Sequence, residues 1–417
     1  MRKVIVSGLT LVVAASLLRC SDDVVGPPAE ITGLPRDLTL AEQELIQSDN
    51  AFGLKLFREI HAQEESGENL FISPLSVAMA LGMTYNGAAG TTYEAMQETL
   101  ELQGLSLQEV NESYRSLIDL LRGLDSSVEF ELANSIWYRQ GYPVEPEFLD
   151  LNRDYFDAEV TPLDFSNPNA KATINGWVDE RTRGRIEEII ERIDPSSVMF
   201  LINAIYFKGS WTAQFAEELT AEAPFYLAGG GQKNVEMMST ADAIDVGVYW
   251  DGEVTVLDLP YGGRAYSMTL AMPAAGTDMA TFVGALDSER WQAWVDGVSG
   301  SAYVVSLPKF TLEYGLLLND VLEALGMEIA FVPGGADFTR INPTPGLLYI
   351  SEVRHKSFVD VNEEGTEAAA VTSVEIRETS AGPSQVVIDR PFVFAIREKF
   401  SGTILFMGLI MDPTSTN

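Results

Sequence analysis

Residues 358–378 read FVDVNEEGTEAAAVTSVEIRE, and the interpretation of the whole chain depends on this stretch. Residues 359–362 are typical of the end of a strand. The Glu-Glu-Gly run that follows is predicted to end the strand, because glycine and adjacent charges interrupt sheets. From Thr366 onward, small or apolar residues alternate with residues that are mostly polar. Alternation with a period of two is the signature of a strand with one buried face.

The alternation separates two sets of side chains. The small or apolar set is Thr366, Ala368, Ala370, Thr372, Val374 and Ile376, and the other parity includes Glu367, Ser373, Glu375 and Arg377. Small side chains on one face would let the segment slide between two strands of an existing sheet. A sheet that stays incomplete until a loop enters it stores free energy. An ordinary solvent-facing edge strand is the other interpretation of the same pattern.

The charge of the chain restricts its partners. The 417 residues include 61 acidic and 27 basic ones, for a formal net charge of −34. Such a surface repels phosphate backbones and anionic lipid headgroups, so the composition argues against nucleic acid partners and against membrane contact other than through a lipid anchor. It favours cationic partners, although an adaptation to solubility or high salt would produce the same composition.

The first residues are predicted to be a targeting segment. Arg2 and Lys3 precede an uncharged run from Val4 to Leu18, which has the length of a signal peptide's apolar region. Residues 1–19 are therefore assigned to a signal peptide and residues 20–39 to a tether. Cys20 follows as in a bacterial lipoprotein signal, so both lipidation of Cys20 and ordinary secretion remain open. Either way the protein is expected to be exported, as an extracellular or cell-surface protein.

Residues 40–417 are predicted to form one mixed α+β domain. Helical periodicity dominates the first half, strand patterns dominate the second, and neither a regular strand–helix alternation nor an internal repeat is present. Helices are predicted at 45–61, from Ser73-Pro74 onward within 69–95, and at 109–121, 170–183 and 316–325. Strands are predicted at 128–138, 199–207, 254–259, 266–272, 302–307, 392–396 and 403–410.

Catalysis is not indicated. His61 and His355 are the only histidines, Cys20 is the only cysteine, and no G-x-S-x-G elbow is present. These counts exclude an intrachain disulfide and nearly exclude a histidine-based metal site. The run at 229–231 is glycine-rich but lacks the spacing of a phosphate-binding loop, so a hairpin tip is predicted there. We expect no enzyme activity, no cofactor and no metal.

Residues 358–371 resemble the hinge of inhibitory serpins, and other segments resemble the same family in the same order along the chain: 69–76, 201–211, 257–262, 390–394 and 404–410. The resemblance implies the α+β serpin fold, in which a helix-rich portion packs on three β-sheets and carries a mobile reactive-centre loop. It also implies a monomer that inhibits serine proteases irreversibly. In that mechanism the protease forms an acyl-enzyme with the loop, and insertion of the cleaved loop into the central sheet stalls deacylation. A non-inhibitory serpin that acts as a binding or surface-displayed protein is the alternative.

The resemblance assigns roles residue by residue. The hinge comprises Glu364, Gly365, Thr366, Glu367, Ala368, Ala369 and Ala370. The family's spacing from Gly365 puts the scissile bond at Thr379–Ser380, which would suit an elastase-like or subtilisin-like protease. Cleavage after Arg377, by a trypsin-like protease, or at Ser380 is the alternative.

Two further sets of residues match family positions under the central sheet. Ser73, Ser76, Asn203 and His355 match a polar cluster that gates the opening of the sheet. For His355 a hydrogen-bonded core histidine is the plain alternative, and the two interpretations nearly coincide. Trp211 matches a residue packed where the loop first inserts, with generic core packing as its alternative.

Overall fold

The computed structural model describes residues 29–64, 67–366 and 384–416. Helices α1 to α10 within those ranges are Leu40–Gln63, Pro74–Tyr85, Gly90–Thr99, Leu107–Gly123, Pro146–Phe156, Ala170–Arg181, Met279–Gly284, Ser288–Gly297, Asn319–Leu322 and Glu328–Phe331. Strands β1 to β16 are Leu70–Ile72, Val128–Arg139, Ala158–Leu163, Met199–Ser210, Ala221–Tyr226, Gln232–Ser239, Ile244–Trp250, Val254–Tyr261, Tyr266–Pro273, Ser299–Pro308, Phe310–Leu317, Arg354–Val361, Gly365–Thr366, Gln385–Val387, Phe392–Glu398 and Ile404–Ile410.

Local sequence signals set several helix starts. Thr39 and Ser106 each cap a helix through a reciprocal capping box, in which the cap hydroxyl and a glutamate three residues later satisfy each other's backbone N–H. The predicted start at Ser73-Pro74 is confirmed, because Ser73 accepts the Ser76 N–H and Pro74 is the first helical residue. None of the helices in the described ranges is long and apolar enough to cross a membrane.

Two predicted helices are corrected by tertiary contacts. Residues 69–95 contain strand β1 and the two helices α2 and α3, and the break follows Tyr85, where a side chain at Gly87 would lie 2.2 Å from Ile341. The helix predicted at 316–325 starts later. Leu316 and Leu317 belong to β11, because they pair with the start of β12. The 229–231 hairpin tip is confirmed between β5 and β6.

The strands form two hydrogen-bonded sheets. Ten strands make one sheet in the order β1-β16-β15-β9-β8-β7-β10-β6-β5, with β14 added beside β10. The resemblance implies three sheets. Two of them correspond to the two parts of the ten-stranded sheet that meet at β10, which pairs with β7 along its first half and with β6 at its end. The third is the six-stranded sheet. In the six-stranded sheet the order is β11-β12-β13-β4-β2-β3.

Strand β4 has two differently packed faces. Ile202 and Ala204 join a small cluster with Ile174 and Val178 of α6, which covers the outer side of the six-stranded sheet. The residues of the other parity, Ile205 and Phe207, belong to the main core. The parity of a residue at this level of the sheet therefore determines whether its side chain faces the main core or the α6 side.

Candidate functional site

The chain reverses direction immediately after β12. The Asn362 side-chain oxygen accepts the backbone N–H groups of Glu364 and Gly365 at 3.1 and 3.2 Å, and the Asn362 N–H donates to the Gly365 carbonyl at 3.0 Å. An asparagine that bonds to its own turn in this way favours the reversal locally. The strand predicted to end at the Glu-Glu-Gly run does end there, at Val361.

The two residues after the turn form β13, which lies between β12 and β4. Thr366 pairs with Val361 on one side and with Gly209 on the other, and Gly365 pairs with Ser210. A side chain at Gly365 would lie 2.1 Å from the Gly209 carbonyl oxygen and 2.7 Å from the Ser210 Cα, so only glycine fits there. Thr366 thus has a neighbouring strand on each side, and the rest of the alternating segment, for which an edge strand was the alternative interpretation, lies outside the described residues.

Thr366 itself faces inward. Its side chain is 2% exposed, and its hydroxyl is 2.8 Å from the hydroxyl of the fully buried Tyr261. Thr366 belongs to the small-residue set of the sequence pattern. The first member of that set therefore points into the main core.

Trp211 lies against the turn that precedes β13. Its indole N–H donates to the Asn362 carbonyl at 3.0 Å, and its backbone N–H donates to the Glu364 carbonyl at 2.9 Å. Its ring stacks on Tyr261 with 4.5 Å between centroids. Trp211 is thus bonded to the turn as well as packed in the core, at the position the resemblance assigns to it.

Glu363 anchors the same turn from the outside. Its carboxylate accepts a 2.7 Å hydrogen bond from Thr220 and forms a 3.1 Å ion pair with Lys309. Burial acts to raise the pKa of Glu363, but the Thr220 hydroxyl and the Lys309 ammonium more than offset burial and leave that pKa below its usual value. The turn is therefore held at an ionised carboxylate at neutral pH.

The predicted gate residues gather around the start of α2. The Ser73 backbone N–H donates to His355 Nε2 at 3.0 Å, and the Ser73 hydroxyl donates to the Leu405 carbonyl at 2.7 Å. Burial lowers the pKa of His355 to about 4. His355 is therefore neutral at physiological pH, and because Nε2 accepts a hydrogen bond its proton is on Nδ1.

Asn203 belongs to a second group of polar residues, on β4, whereas His355 is on β12. Its side-chain amide donates to Asn134 of β2 at 2.7 Å, and its backbone carbonyl is 3.5 Å from the Ser76 hydroxyl. The Asn203 side-chain oxygen is buried and has no hydrogen-bond partner in the described part of the chain. The four predicted gate residues thus share one region, but their hydrogen bonds divide them into a His355 group and an Asn203 group. Their gating role stays a prediction.

A cavity of about 500 Å³ lies at the level of these groups. The facing ends of β4 and β12 line its sides, at residues 199–204 and 354–356, and α2 contributes Val77, Ala80 and Leu81. Within the described ranges, β13 is the only strand that pairs with both β4 and β12. We call the space between β4 and β12 below Thr366 the slot.

Several predicted site residues lie outside the described residues: Cys20, Glu367, Ala368, Ala369, Ala370, Arg377, Thr379 and Ser380. Other residues of the site were missed by the sequence analysis. Tyr261 lies in the 257–262 segment that carries the family resemblance, but nothing in its spacing predicts a bond to Thr366. Asn134 has no signal in the sequence. No group of three or more His, Cys, Asp or Glu side chains in the described ranges is arranged to hold a metal ion.

Comparison with known proteins defines the class. The family model described as "Serpin (serine protease inhibitor)" matches residues 47–413, so this chain belongs to the serpin family. The family takes its name from the inhibition of serine proteases.

Individual relatives agree over almost the whole chain. Human neuroserpin is 33% identical over 374 residues, which cover 87% of this chain and 90% of neuroserpin. The bovine leukocyte elastase inhibitor is 35% identical over 382 residues, 89% of this chain and all of that protein. Among solved structures, native tengpin, a thermophilic serpin, superposes with a TM-score of 0.80 at 30% identity and covers 93% of this chain and 97% of its own. Human thyroxine-binding globulin complexed with thyroxine superposes with a TM-score of 0.79 at 26% identity, over 90% of this chain and all of its own.

Proposed function

We propose that this protein is an irreversible, suicide-type inhibitor of serine proteases, in which residues after Thr366 enter the slot once the loop is cleaved. The observation that carries the proposal is β13, because Gly365 and Thr366 of the hinge lie between β4 and β12 directly above the slot, and Thr366 is paired with both strands. Insertion would therefore extend an existing strand and would not need a new nucleus.

Continuing the register of β13 predicts the partners of the inserted strand. Thr366 pairs with Gly209 and Val361, so each later residue would face the next one back along both strands. On that register Ala368 would lie between Phe207 and Val359, Ala370 between Ile205 and Ser357, and Thr372 between Asn203 and His355. The last position coincides with the predicted gate.

The register explains the side-chain pattern of the hinge. Val359 is buried in the main core and Ser357 is 3% exposed, so the space beside them accepts small side chains only. Ala368 and Ala370 meet that requirement. Thr372 would bring a hydroxyl to the Asn203 side-chain oxygen, which accepts no hydrogen bond from the described residues. A buried acceptor that gains a donor on insertion favours the inserted state.

The energy for trapping the protease would come from completing the sheet. Below Gly209, β4 offers residues 199–208 to an incoming strand. Roughly ten new ladder hydrogen bonds at about 1 kcal/mol each, together with buried apolar surface, would drive insertion. At about 3.3 Å per residue, the fourteen residues from Gly365 to Thr379 would carry the attached protease roughly 45 Å.

The chemistry of the bait belongs to the protease. Its serine would attack the Thr379 carbonyl, the peptide bond to Ser380 would break, and the Ser380 amine would leave with a proton, so that an ester joins the two proteins. We propose Thr379 as the bait residue and an elastase-like or subtilisin-like target, because a small β-branched residue fits a shallow pocket. The resemblance to an elastase inhibitor supports this choice. Arg377 with a trypsin-like protease is the alternative.

A binding function without inhibition is the second candidate, and the likeness to thyroxine-binding globulin favours it. Export and surface display are part of our proposal in either case, with Cys20 as the lipidated residue if an anchor exists. Mass determination of the mature protein's first residue would test export and lipidation together, since a cleaved, acylated Cys20 has a defined mass.

The test of inhibition is incubation of the mature protein with an elastase, a subtilisin and a trypsin, followed by denaturing gels and mass spectrometry. We expect a denaturant-stable adduct with the elastase or subtilisin and a released fragment that begins at Ser380. Cleavage without an adduct would favour the binding function. Thr366→Arg should convert the inhibitor into a substrate, because a charged side chain cannot enter the site beside Tyr261. Glu364→Arg is the matched control, since Glu364 contributes only backbone atoms to its hydrogen bonds with other described residues.

A further inference from the structure

The first described residues of the chain are docked on the domain, although the sequence predicts a tether there. The Ile31 N–H donates to the Gly263 carbonyl at 2.7 Å, and the Ile31 side chain packs on the main core. The Ala29 carbonyl oxygen would lie only 2.8 Å from a side chain at Gly263. The backbone of this segment therefore sits directly on the turn between β8 and β9.

The other end of the segment is fixed to the helical layer. Arg36 forms a 2.7 Å ion pair with Glu42 of α1 and also donates to the Ser116 hydroxyl of α4. Burial acts to raise the pKa of Glu42, but bonds from Arg36, Ser116 and Thr39 lower it to about 2. The contact between the segment and the helices is therefore charged at any physiological pH.

The turn beneath Ile31 belongs to the upper end of the slot. The Gly263 N–H donates to Asp125, in the connection that leads into β2, at 2.9 Å. The Gly262 N–H donates to the Ser210 carbonyl at the end of β4 at 2.8 Å. The preceding residue, Tyr261, bonds to Thr366. Three neighbouring residues thus connect the N-terminal segment to β2, to β4 and to the hinge.

We propose that residues 29–38 act as a brace that holds the upper ends of β2 and β4 in place and slows insertion of the uncleaved loop. This inference rests on the proposed inhibitory function. An inhibitor of this type needs an intact loop to stay outside the slot until a protease cuts it. Ile31 of the brace bonds to the Gly262–Gly263 turn, and the same turn bonds to Ser210 at the end of β4. Any movement of β4 away from β12 that pulls on this turn must then also strain the bond to Ile31.

The test compares two proline substitutions in the full mature chain. Ile31→Pro removes the N–H that bonds to Gly263, and Thr32→Pro is its matched control, because the Thr32 N–H donates no hydrogen bond within the described residues. Uncleaved protein is incubated at mildly elevated temperature, and the fraction that becomes resistant to denaturing urea is followed with time. We expect Ile31→Pro to convert about fivefold faster, the factor that corresponds to loss of one net hydrogen bond of about 1 kcal/mol, and Thr32→Pro to match the parent protein.

A second variant approaches the same contact from the turn. Gly263→Ala would place a methyl group against the Ala29 carbonyl and displace the brace while leaving residues 29–38 unchanged. Faster conversion of both Ile31→Pro and Gly263→Ala supports the brace, and equal rates in all four proteins overturn it.

A separate arm cuts the loop of the parent protein with thermolysin, a zinc protease that forms no acyl-enzyme, and measures the melting temperature of the cut protein. If the cut protein gains heat resistance and the conversion rates are equal, the brace alone is wrong. If the cut protein gains none, the insertion mechanism is wrong and the brace is refuted with it.

Discussion

The interior strands of the two sheets differ in how fully they are paired. In the ten-stranded sheet, β15 pairs with β16 on one side and β9 on the other along nearly its whole length, and all of its residues are buried. In the six-stranded sheet, β4 pairs with β2 from Val128 to Tyr138, but on its other side, among the described residues, only Gly209 and Ser210 are paired. One chain thus contains a finished sheet and an unfinished one.

The difference has an energetic meaning. A strand that is hydrogen-bonded along both edges has no further backbone partners to gain. Beside the slot, the backbone of β4 and the buried Asn203 side-chain oxygen lack hydrogen-bond partners among the described residues. The finished sheet should therefore determine the stability of the domain. The unfinished sheet should determine what the domain does.

The largest effect is expected in the finished sheet. Phe394 is completely buried and its ring lies between Phe71 and Phe310, with centroid distances of 5.8 and 5.4 Å. Phe394→Ala should lower the free energy of unfolding by about 4 kcal/mol, since the rigid surroundings cannot fill the cavity. Urea titration measures the change, and Tyr226→Ala, at an exposed site, is the control. A loss below about 1 kcal/mol would contradict the view that this sheet carries the stability.

The next effect is a pH dependence at the slot. The pKa of His355 is about 4 in the folded protein and about 6.5 when unfolded, so His355 contributes stability above pH 6.5 that is lost as the pH falls toward 4. The loss should reach about 3 kcal/mol. His355→Gln keeps an acceptor for the Ser73 N–H and should remove this part of the acid sensitivity in urea titrations at several pH values. His61→Gln separates the contribution of the other histidine, whose pKa burial also lowers. Identical acid profiles for the parent protein and His355→Gln would mean that His355 is accessible to protons in the folded state.

A smaller effect is expected at the hinge. Gly365→Ala would force a methyl group against the Gly209 carbonyl, so β13 should leave its place between β12 and β4 at a cost of about 2 kcal/mol. Hydrogen exchange at the backbone N–H of Trp211, which now donates to the Glu364 carbonyl, should speed up roughly thirtyfold. Gly300→Ala is the control, because its nearest neighbour would be 3.5 Å away. Unchanged exchange at Trp211 would show that the hinge tolerates a side chain.

The smallest expected effect concerns the bond that orients Thr366. Tyr261→Phe removes the hydroxyl that contacts Thr366 but keeps the ring stacked on Trp211. The free energy of unfolding should fall by about 1 kcal/mol, the worth of one buried hydrogen bond. Thr366→Val should produce a similar loss, and the double variant should lose no more than either alone. Additive losses would mean that the two hydroxyls do not depend on each other.

Much of the fold could be predicted because its signals are local. The alternation after Gly365 indicates which residues face inward, and the burial of Thr366 agrees with that parity. Ser73-Pro74 predicts the start of α2 through capping chemistry that needs no partner from elsewhere in the chain. Strands β8, β9, β15 and β16 of the finished sheet are also recognisable, since each is a largely apolar and buried run.

Tertiary contacts decided the rest. Leu316 and Leu317 fit a helical pattern, but they lie in β11 because β12 offers them a pairing edge. The docked segment at residues 29–38 is polar and rich in turn residues, and only Gly263, more than two hundred positions later, supplies an acceptor for Ile31. Neither the pairing of Leu316 and Leu317 with β12 nor the bond from Ile31 to Gly263 can be predicted from the local sequence.

By itself, the sequence determined the family, the parity of the hinge and the small size of its inward side chains, because these depend on residue types at short spacing. Only the tertiary structure decided that β13 lies between β4 and β12, directly above the slot. The same is true of the division of the predicted gate residues into a His355 group and an Asn203 group, and of the docking of residues 29–38 on the turn beside the hinge. Those features depend on distances between segments far apart in the chain, which packing sets and local pattern does not encode.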